Sequence, residues 1–235
     1  MHKTNPRLEA DLALCVKHRA PVVITSLGCN AEVISAIQGY GGVVFHDVIN
    51  RKFAEKAAAR GVDEIVCVTA SAGGHAGTIN PFALVTDVRR VFDGTILPGG
   101  CINTGAQIAA ARLMGAVLAY IGTRFIATTE SLADDAFKAM LLASGSSDVI
   151  YTASISGVGG NFLTLSLINA GVDLDKTRGN IDVGDELAGS GAKAWKTNWS
   201  AGQGTAGIDD VPSARDLCRR LVQEYDAAAD LLRPT

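Results

Sequence analysis

Short apolar runs recur along the first half of the chain. They are rich in β-branched residues, and their starts lie roughly twenty to thirty residues apart, which is the spacing of βα units. Their nearly continuous apolar character suits strands that are buried on both faces, as in a parallel sheet covered by helices. We therefore predict five strands, at Val22–Thr25, Gly42–His46, Glu64–Thr69, Gly94–Pro98 and Ala116–Gly122.

Between and after these runs, apolar residues recur at the three- and four-residue spacing of amphipathic helices. The last such pattern opens with a Ser-x-x-Asp capping box at Ser213 and Asp216. We predict helices at Ala31–Gln38, Lys52–Arg60, Gly105–Met114 and Ser131–Ala143, with a C-terminal helix within 206–235.

The pattern divides a single α/β domain, 1–235, into three parts. Residues 1–143 hold the βα units, and 206–235 hold the C-terminal helix. Between them, 144–205 is rich in Gly, Ser, Thr and Asn without periodicity, which is typical of an irregular cover over a functional site. Five βα units fit either part of a (β/α)8 barrel or a doubly wound sheet. Sequential strand order indicates the barrel, and a reversal indicates the doubly wound sheet.

Composition excludes several classes of partner. The chain has 48% hydrophobic residues and a net charge of −3, and no run of Lys or Arg that would bind a phosphate backbone, so we expect no nucleic acid. The five cysteines are scattered without a CxxC pair, which indicates reduced thiols and no metal site. The chain shows neither an N-terminal apolar stretch nor a later one long enough to span a membrane. We therefore predict a cytoplasmic protein that does not bind membranes.

Candidate chemistry follows the last three predicted strands, because ligands bind at the carboxyl ends of parallel strands. The third strand leads into Ser71–Gly77, which holds glycines and the imidazole of His75. The next two strands end at Gly99-Gly100-Cys101 and at Gly122-Thr123, where small residues suit phosphate binding by backbone N–H groups. Tight turns also need glycine, and a lone histidine is often structural. Their occurrence at consecutive strand ends favours a common ligand site.

Three motifs in these loops, with their order and spacing, resemble the nitronate monooxygenase family. They are Ala72–Gly77, Leu97–Ile102 and Ala119–Thr128, and Trp199–Gly204 supports the match. The resemblance covers essentially the whole chain. It implies a partial TIM-type (β/α)8 barrel with about five parallel βα units plus a C-terminal helical cap.

The same resemblance implies an enzyme that binds FMN and oxidises alkyl nitronates with molecular oxygen, without NAD(P)H. His75 would be the catalytic residue, acting as a base toward a neutral nitroalkane or orienting a bound nitronate. The FMN-binding residues implied by the resemblance are Gly73, Gly74, Gly100, Cys101, Tyr120, Ile121, Gly122, Thr123, Ser200 and Gln203.

The sequence departs from the family pattern in several places. Cys101 stands where the family usually has a second glycine, which is compatible with use of its backbone N–H at negative φ. Asp47 stands where some members carry Lys, and Ser71 where many carry an acidic residue. The family's first strands, roughly three of eight, have no counterpart, so we expect bare sheet edges and possible self-association through them.

Two other functions remain open at this stage. A related FMN barrel would reduce a quinone or an enoyl thioester with NAD(P)H, and bleaching of the flavin by NAD(P)H instead of nitronate would identify it. The third possibility is a catalytically inactive, truncated family member that binds flavin poorly.

Overall fold

A computed structural model of the chain describes residues 5–175 and 197–231. Two sheets are present in this part of the chain, one of four strands and one of three. The strands are β1 (Val22–Thr25), β2 (Val43–Val48), β3 (Glu64–Val68), β4 (Gly74–His75), β5 (Thr95–Gly99), β6 (Val149–Thr152) and β7 (Gly160–Leu163).

The larger sheet is parallel and has the order β1-β2-β3-β5. Its four strands lie side by side in their order along the chain, with β4 in the other sheet, and without the reversal that a doubly wound sheet requires. This order confirms the predicted partial barrel. The sheet is open, since β1 and β5 do not pair with each other.

Helices follow the strands and cover one face of this sheet. The core between them is formed by side chains with no solvent exposure, among them Ile37, Val44, Ile65, Leu84 and Ile96. The described helices are α1 (Leu8–Lys17), α2 (Ala31–Gln38), α3 (Arg51–Ala59), α4 (Pro81–Arg89), α5 (Gly105–Leu113), α6 (Thr123–Ile126), α7 (Asp135–Ala143), α8 (Thr164–Asn169) and α9 (Ala214–Asp230).

The fifth predicted strand, Ala116–Gly122, is reduced to a single parallel bridge between Tyr120 and Gly99. Backbone bonds from Val117 to Ile96 and from Tyr120 to Pro98 keep the segment beside β5. No described strand pairs with its other side, so the segment has a partner on one edge only. The prediction of a fifth full strand is therefore corrected to a bridge.

The second sheet is antiparallel, with the order β4-β7-β6. Its β6–β7 hairpin and α8 lie in the segment 144–205, for which the sequence pattern predicted irregular structure. Residues 176–196 of that segment lie outside the described residues. Because β7 pairs with β4, the hairpin is fixed beside the loop that follows β3.

The C-terminal helix packs against α5. Its predicted cap is present, since the Ser213 hydroxyl oxygen accepts a bond from the Asp216 N–H at 3.1 Å. Gly105 opens α5 where a side chain would collide with the backbone of α9. Just before α9, Asp210 forms a 2.5 Å ion pair with Arg124, whose side chain is buried. These contacts fix α9 against the last βα unit.

Candidate active site

A cavity of about 1020 Å³ lies at the carboxyl ends of the parallel strands. This volume is at the upper end of the range for small-molecule and cofactor sites. The loops after β1, β2, β3 and β5 all contribute to its wall. It brings together eight of the residues predicted for the site: Gly73, His75, Gly100, Cys101, Tyr120, Gly122, Thr123 and Ser200.

Three predicted site residues are next to the wall without forming it. Gly74 has φ +73°, a left-handed conformation that suits glycine, and it sits between two lining residues. Ile121 packs into a small apolar cluster beside α5. Gln203 donates its backbone N–H to the Ser71 carbonyl at 3.1 Å. This bond ties the segment after Trp199 to the histidine loop, the residues between β3 and His75.

His75 ends the short strand β4 and is half-buried. Its Nε2 lies 2.8 Å from the Ser156 hydroxyl oxygen. Burial lowers the pKa of the imidazole from its ordinary value. A histidine with a lowered pKa is neutral near pH 7, the form that accepts a proton.

Asn161 holds the loop that leads to His75. Its side chain is fully buried on β7, and its Nδ2 donates to the carbonyls of Ala70 at 2.8 Å and Ala72 at 2.7 Å. Two loop carbonyls thus receive hydrogen bonds that water would otherwise supply. The hairpin is therefore a support for the site.

The segment after Trp199 closes over the same loop. The Gly202 N–H donates to the Thr123 hydroxyl oxygen at 3.0 Å. A Cβ on Gly73 would come within 2.8 Å of the Gly202 nitrogen, so the absence of a side chain permits this close approach. The histidine loop, the α6 N-terminus and the Ser200 segment consequently form one packed unit.

The turn after β5 differs from expectation at Cys101. Gly100 has φ +124° and Cys101 has φ +55°, so the expected negative φ at Cys101 is wrong. A left-handed conformation in a residue with a side chain costs about 1–2 kcal/mol. Two successive positive-φ residues turn the chain sharply from β5 toward α5.

Three backbone N–H groups in this region suit an anion. Within residues 5–175 and 197–231, the N–H groups of Cys101, Gly122 and Thr123 have no hydrogen-bond acceptor. A Cβ on Gly122 would meet no atom within 4 Å, so open space lies in front of that residue. All three residues line the cavity, and free backbone amides in such loops are the groups with which proteins hold phosphate.

His46 and Asp47, two neighbouring cavity residues on β2, have different surroundings. The Nδ1 of His46 is 2.7 Å from the Thr25 hydroxyl, and burial lowers the pKa of this imidazole to about 4. Burial raises the pKa of Asp47 to about 6, and a bond from Ser26 opposes this effect. Asp47 Oδ1 has no hydrogen-bond partner among the described residues. Asp47 is therefore a polar group on the wall with unused bonding capacity.

Sequence reasoning missed Ser156 and Asn161, both of which shape the surroundings of His75. They lie in the segment 144–205, where Gly and Ser hide the alternation that marks a strand. The pairing Gly74↔Asn161 is a long-range contact and has no local signal.

In the described part of the chain, no helix has the length and apolar content to cross a membrane. The same residues contain no group of three or more His, Cys, Asp or Glu placed to hold a metal ion. The cysteines are all free.

Comparison with known proteins decides the family. The family model described as nitronate monooxygenase matches residues 4–224. The chain belongs to the nitronate monooxygenase family. The family resemblance predicted from the three motifs is thereby confirmed.

Relatives and solved structures agree with this family. A nitronate monooxygenase of Paraburkholderia phytofirmans is 30% identical over 243 residues, covering 95% of this chain and 66% of the relative. A nitroalkane oxidase structure from Streptomyces ansochromogenes has a TM-score of 0.82 at 26% identity, covering 96% of this chain and 70% of that one.

A Rhodococcus jostii protein, named as a dehydrogenase of a hydroxy-methyl-oxo-octahydroindene carboxyl-CoA, is 29% identical over 157 residues. The match covers 67% of this chain and 44% of that protein. The chain thus spans less than two thirds of the length of these curated relatives.

Proposed function

We propose that the chain is an FMN-dependent oxidoreductase that oxidises alkyl nitronates with molecular oxygen. The observation that carries this proposal is the meeting of His75 with two loops of small residues in one cavity. Family membership supports the proposal, because the family model and the Paraburkholderia relative both bear the nitronate monooxygenase name. The partners are therefore small molecules, a nitronate and O2.

The cavity fits FMN by its donors and by its space. The N–H groups of Cys101, Gly122 and Thr123 would hold the phosphate, since Gly122 leaves the approach to the backbone open. When bound, FMN would supply the electron acceptor between nitronate and O2. The other residues proposed for FMN binding are Gly73, Gly74, Gly100, Tyr120, Ile121, Ser200 and Gln203.

His75 would act on the substrate. Its neutral imidazole has a lone pair that takes a proton from the carbon next to the nitro group of a neutral nitroalkane. A substrate that is already a nitronate needs no base, and His75 would then orient it. Proton transfer by a positioned histidine contributes about 10² to 10⁴ to a rate.

A second candidate is NAD(P)H-dependent reduction of a quinone or an enoyl thioester. The name of the Rhodococcus relative favours it, since that protein is described as acting on a CoA derivative by a redox reaction. The size of the cavity also leaves room for a substrate larger than a nitroalkane. A third candidate is a catalytically inactive member whose open sheet leaves the flavin without a complete site.

Location and assembly follow from other observations. Five free cysteines suit the reducing cytoplasm, where we place the protein. The unpaired edge of β1 and its exposed apolar residues suit self-association of the chain.

Oxygen consumption by the FMN-loaded chain separates the candidates. Ethylnitronate alone should support steady consumption of O2, and NAD(P)H alone should not. Dependence on NAD(P)H together with a quinone or enoyl thioester would favour the second function. No turnover with ethylnitronate or with NAD(P)H would favour a catalytically inactive family member.

The His75→Asn variant should slow turnover of nitroethane on the order of 100-fold with FMN still bound.

A further inference from the structure

A row of positive charge lies along α3, at one end of the cavity. Lys52, Lys56 and Arg60 follow one another at intervals of four residues, which places them on one side of the helix over about 12 Å. All three residues are exposed, and Lys56 and Arg60 line the cavity wall. The row is therefore accessible to a ligand that enters the cavity.

These three cations have no acidic partner within residues 5–175 and 197–231. The acidic residue of α3, Glu55, forms its ion pair with Arg51 instead, at 2.9 Å. The helix thus keeps three uncompensated positive charges, although the whole chain has a net charge of −3. A concentration of unpaired positive charge on a cavity wall favours an anionic ligand.

Neutral groups orient the two cations that line the wall. The Lys56 ammonium is 5.7 Å from the centroid of the Phe53 ring, within the range of a cation–π contact. Arg60 donates from Nη1 to the Cys29 carbonyl at 3.2 Å, and a guanidinium has further N–H donors for a ligand. Burial raises the pKa of the Cys29 thiol and the Arg60 charge opposes this rise, so that charge acts on the cavity wall.

Phe53 gives the same end of the cavity an aromatic surface. Its side chain is 43% exposed although it lines the wall. Nucleobases stack on exposed aromatic rings, with a contribution of about 1–3 kcal/mol per base, and Lys and Arg bind phosphate oxygens. An exposed ring beside two unpaired cations therefore combines the groups that bind a base and its phosphates.

The cavity continues from α3 to the end that holds His75. Its wall includes the loop after β1, where a Cβ on Gly28 would meet no atom within 4 Å. The space over this loop is therefore open. A long ligand bound at α3 has room to extend toward His75.

We propose that Phe53, Lys56 and Arg60 form a nucleotide site, which binds the adenosine diphosphate moiety of a coenzyme that carries a substrate into the cavity. Ethylnitronate has no phosphate group, so this site goes beyond nitronate oxidation. Binding at the nucleotide site needs no flavin, and only the delivery of a substrate to His75 rests on the proposed function. Coenzyme A thioesters and NAD(P)H both contain this moiety.

Calorimetric titration of the whole chain with ADP tests the nucleotide site directly. The affinity should fall at least about threefold as NaCl rises from about 50 to about 300 mM, because the cations are exposed. Lys56→Gln combined with Arg60→Gln should weaken ADP binding at least about tenfold, through loss of two phosphate contacts. Absence of ADP binding, binding that salt does not weaken, or equal affinity in the double variant would overturn the proposal.

Arg215→Gln combined with Arg219→Gln is the matched control. These arginines are also exposed and four residues apart, on α9, and they lie outside the cavity wall. Their replacement makes the same change in net charge and should leave the ADP affinity unchanged. An equal loss in this control would reduce the effect to net charge and overturn the nucleotide site.

Two single variants locate the bound ADP. Gly122→Phe blocks the position proposed for the FMN phosphate and should leave ADP affinity unchanged, whereas a loss there would place ADP in the flavin site and overturn the proposal. Phe53→Leu should weaken ADP binding about fivefold without affecting inorganic pyrophosphate, which has no base to stack. Equal effects on both ligands would overturn the role of Phe53.

Larger ligands identify the coenzyme and test delivery. Tighter binding of coenzyme A than of ADP, without a gain for NADPH, would support a thioester, and the reverse would support a dinucleotide. Equal affinity for all three ligands would overturn delivery through the cavity. Failure of the FMN-loaded chain to oxidise ethylnitronate would contradict the proposed function and leave the ADP result in force.

Discussion

Asp47 places a carboxyl group on the cavity wall with few partners. Its Oδ1 has no hydrogen bond among the described residues, and burial raises its pKa to about 6. A raised pKa means that the folded chain binds the proton more tightly than the unfolded chain does, where a free Asp has a pKa of about 3.9. The ionised form of Asp47 therefore destabilises the fold at neutral pH.

Replacing Asp47 with Asn should remove this destabilisation. The cost of ionising Asp47 develops as the pH rises from about 4 to about 6. At pH 4, the variant and the parent chain should therefore have the same free energy of unfolding. At pH 7.5, it should be more stable by about 1–2 kcal/mol, measured by urea unfolding at both pH values. Asp93→Asn makes the same charge change at an exposed site outside the cavity. An equal gain in that control would rule out burial as the cause.

Gly122 offers a test of the phosphate site. Its backbone has φ −113°, which any residue adopts, and a Cβ there would project into open space. Gly122→Phe should therefore fold normally and bind FMN with at least about 100-fold lower affinity, because the ring would occupy the phosphate position.

Gly145→Phe is the control, since Gly145 also has ordinary backbone angles and space but lies outside the cavity wall. Equilibrium titration with FMN, followed by flavin fluorescence, measures the FMN affinity of both variants. FMN affinity in Gly122→Phe equal to that of the control would place the phosphate elsewhere.

At the scale of elements, the β6–β7 hairpin carries the loop of the catalytic histidine. Asn161 links the two through its bonds to the Ala70 and Ala72 carbonyls. Truncation to Ala would leave both half-buried carbonyls without these donors, at a cost of about 1–3 kcal/mol in the free energy of unfolding. Asn169→Ala, at the exposed end of α8, should cost less than about 0.5 kcal/mol.

Thermal and urea unfolding measure the stability of these two variants. The His75 environment should also change in Asn161→Ala, visible as a shift of its ¹⁵N signals. A stable Asn161→Ala variant with unchanged signals would mean that the hairpin does not support the loop.

The parallel strands were predictable because burial on both faces leaves nearly uninterrupted apolar runs. The bounds of β1 and α2 agree with the sequence pattern at every residue. Tyr120 marks where the pattern fails, since an apolar run predicts burial and not the presence of a neighbouring strand. The number of full strands therefore had to come from the structure.

The candidate site was predictable where its residues are adjacent to strand ends. Gly100 directly follows β5, His75 lies at the end of the loop after β3, and Gly122 follows the Tyr120 bridge, so parallel topology brings them to one cavity. Ser156 reaches His75 only through the pairing of β7 with β4, which no local pattern encodes. The φ of Cys101 depends on the path from β5 to α5 and likewise could not be read from its side chain.

At the scale of the whole molecule, the open sheet leaves apolar surface uncovered. Val22 and Ile24 alternate with buried residues on β1 and are 47% and 42% exposed. Val117 and Leu118, beside the other edge, are 56% and 51% exposed. Apolar side chains along an unpaired strand favour association of chains.

Sedimentation velocity should accordingly show concentration-dependent self-association of the chain. The double variant Val22→Thr and Ile24→Thr keeps β-branched residues and should weaken association about tenfold, through loss of apolar burial. Leu132→Thr removes a fully exposed apolar side chain that lies away from the sheet edge and should have no effect. A monomer at all concentrations would contradict association through this edge.

The visible spectrum of the purified chain with added FMN tests the central claim most directly. Bound FMN should show a resolved, shifted absorption band, and anaerobic addition of ethylnitronate should bleach it. Bleaching would mean that the cavity around His75 binds flavin and passes electrons to it from a nitronate. An unshifted spectrum of free FMN, or bound FMN that stays oxidised, would contradict the account.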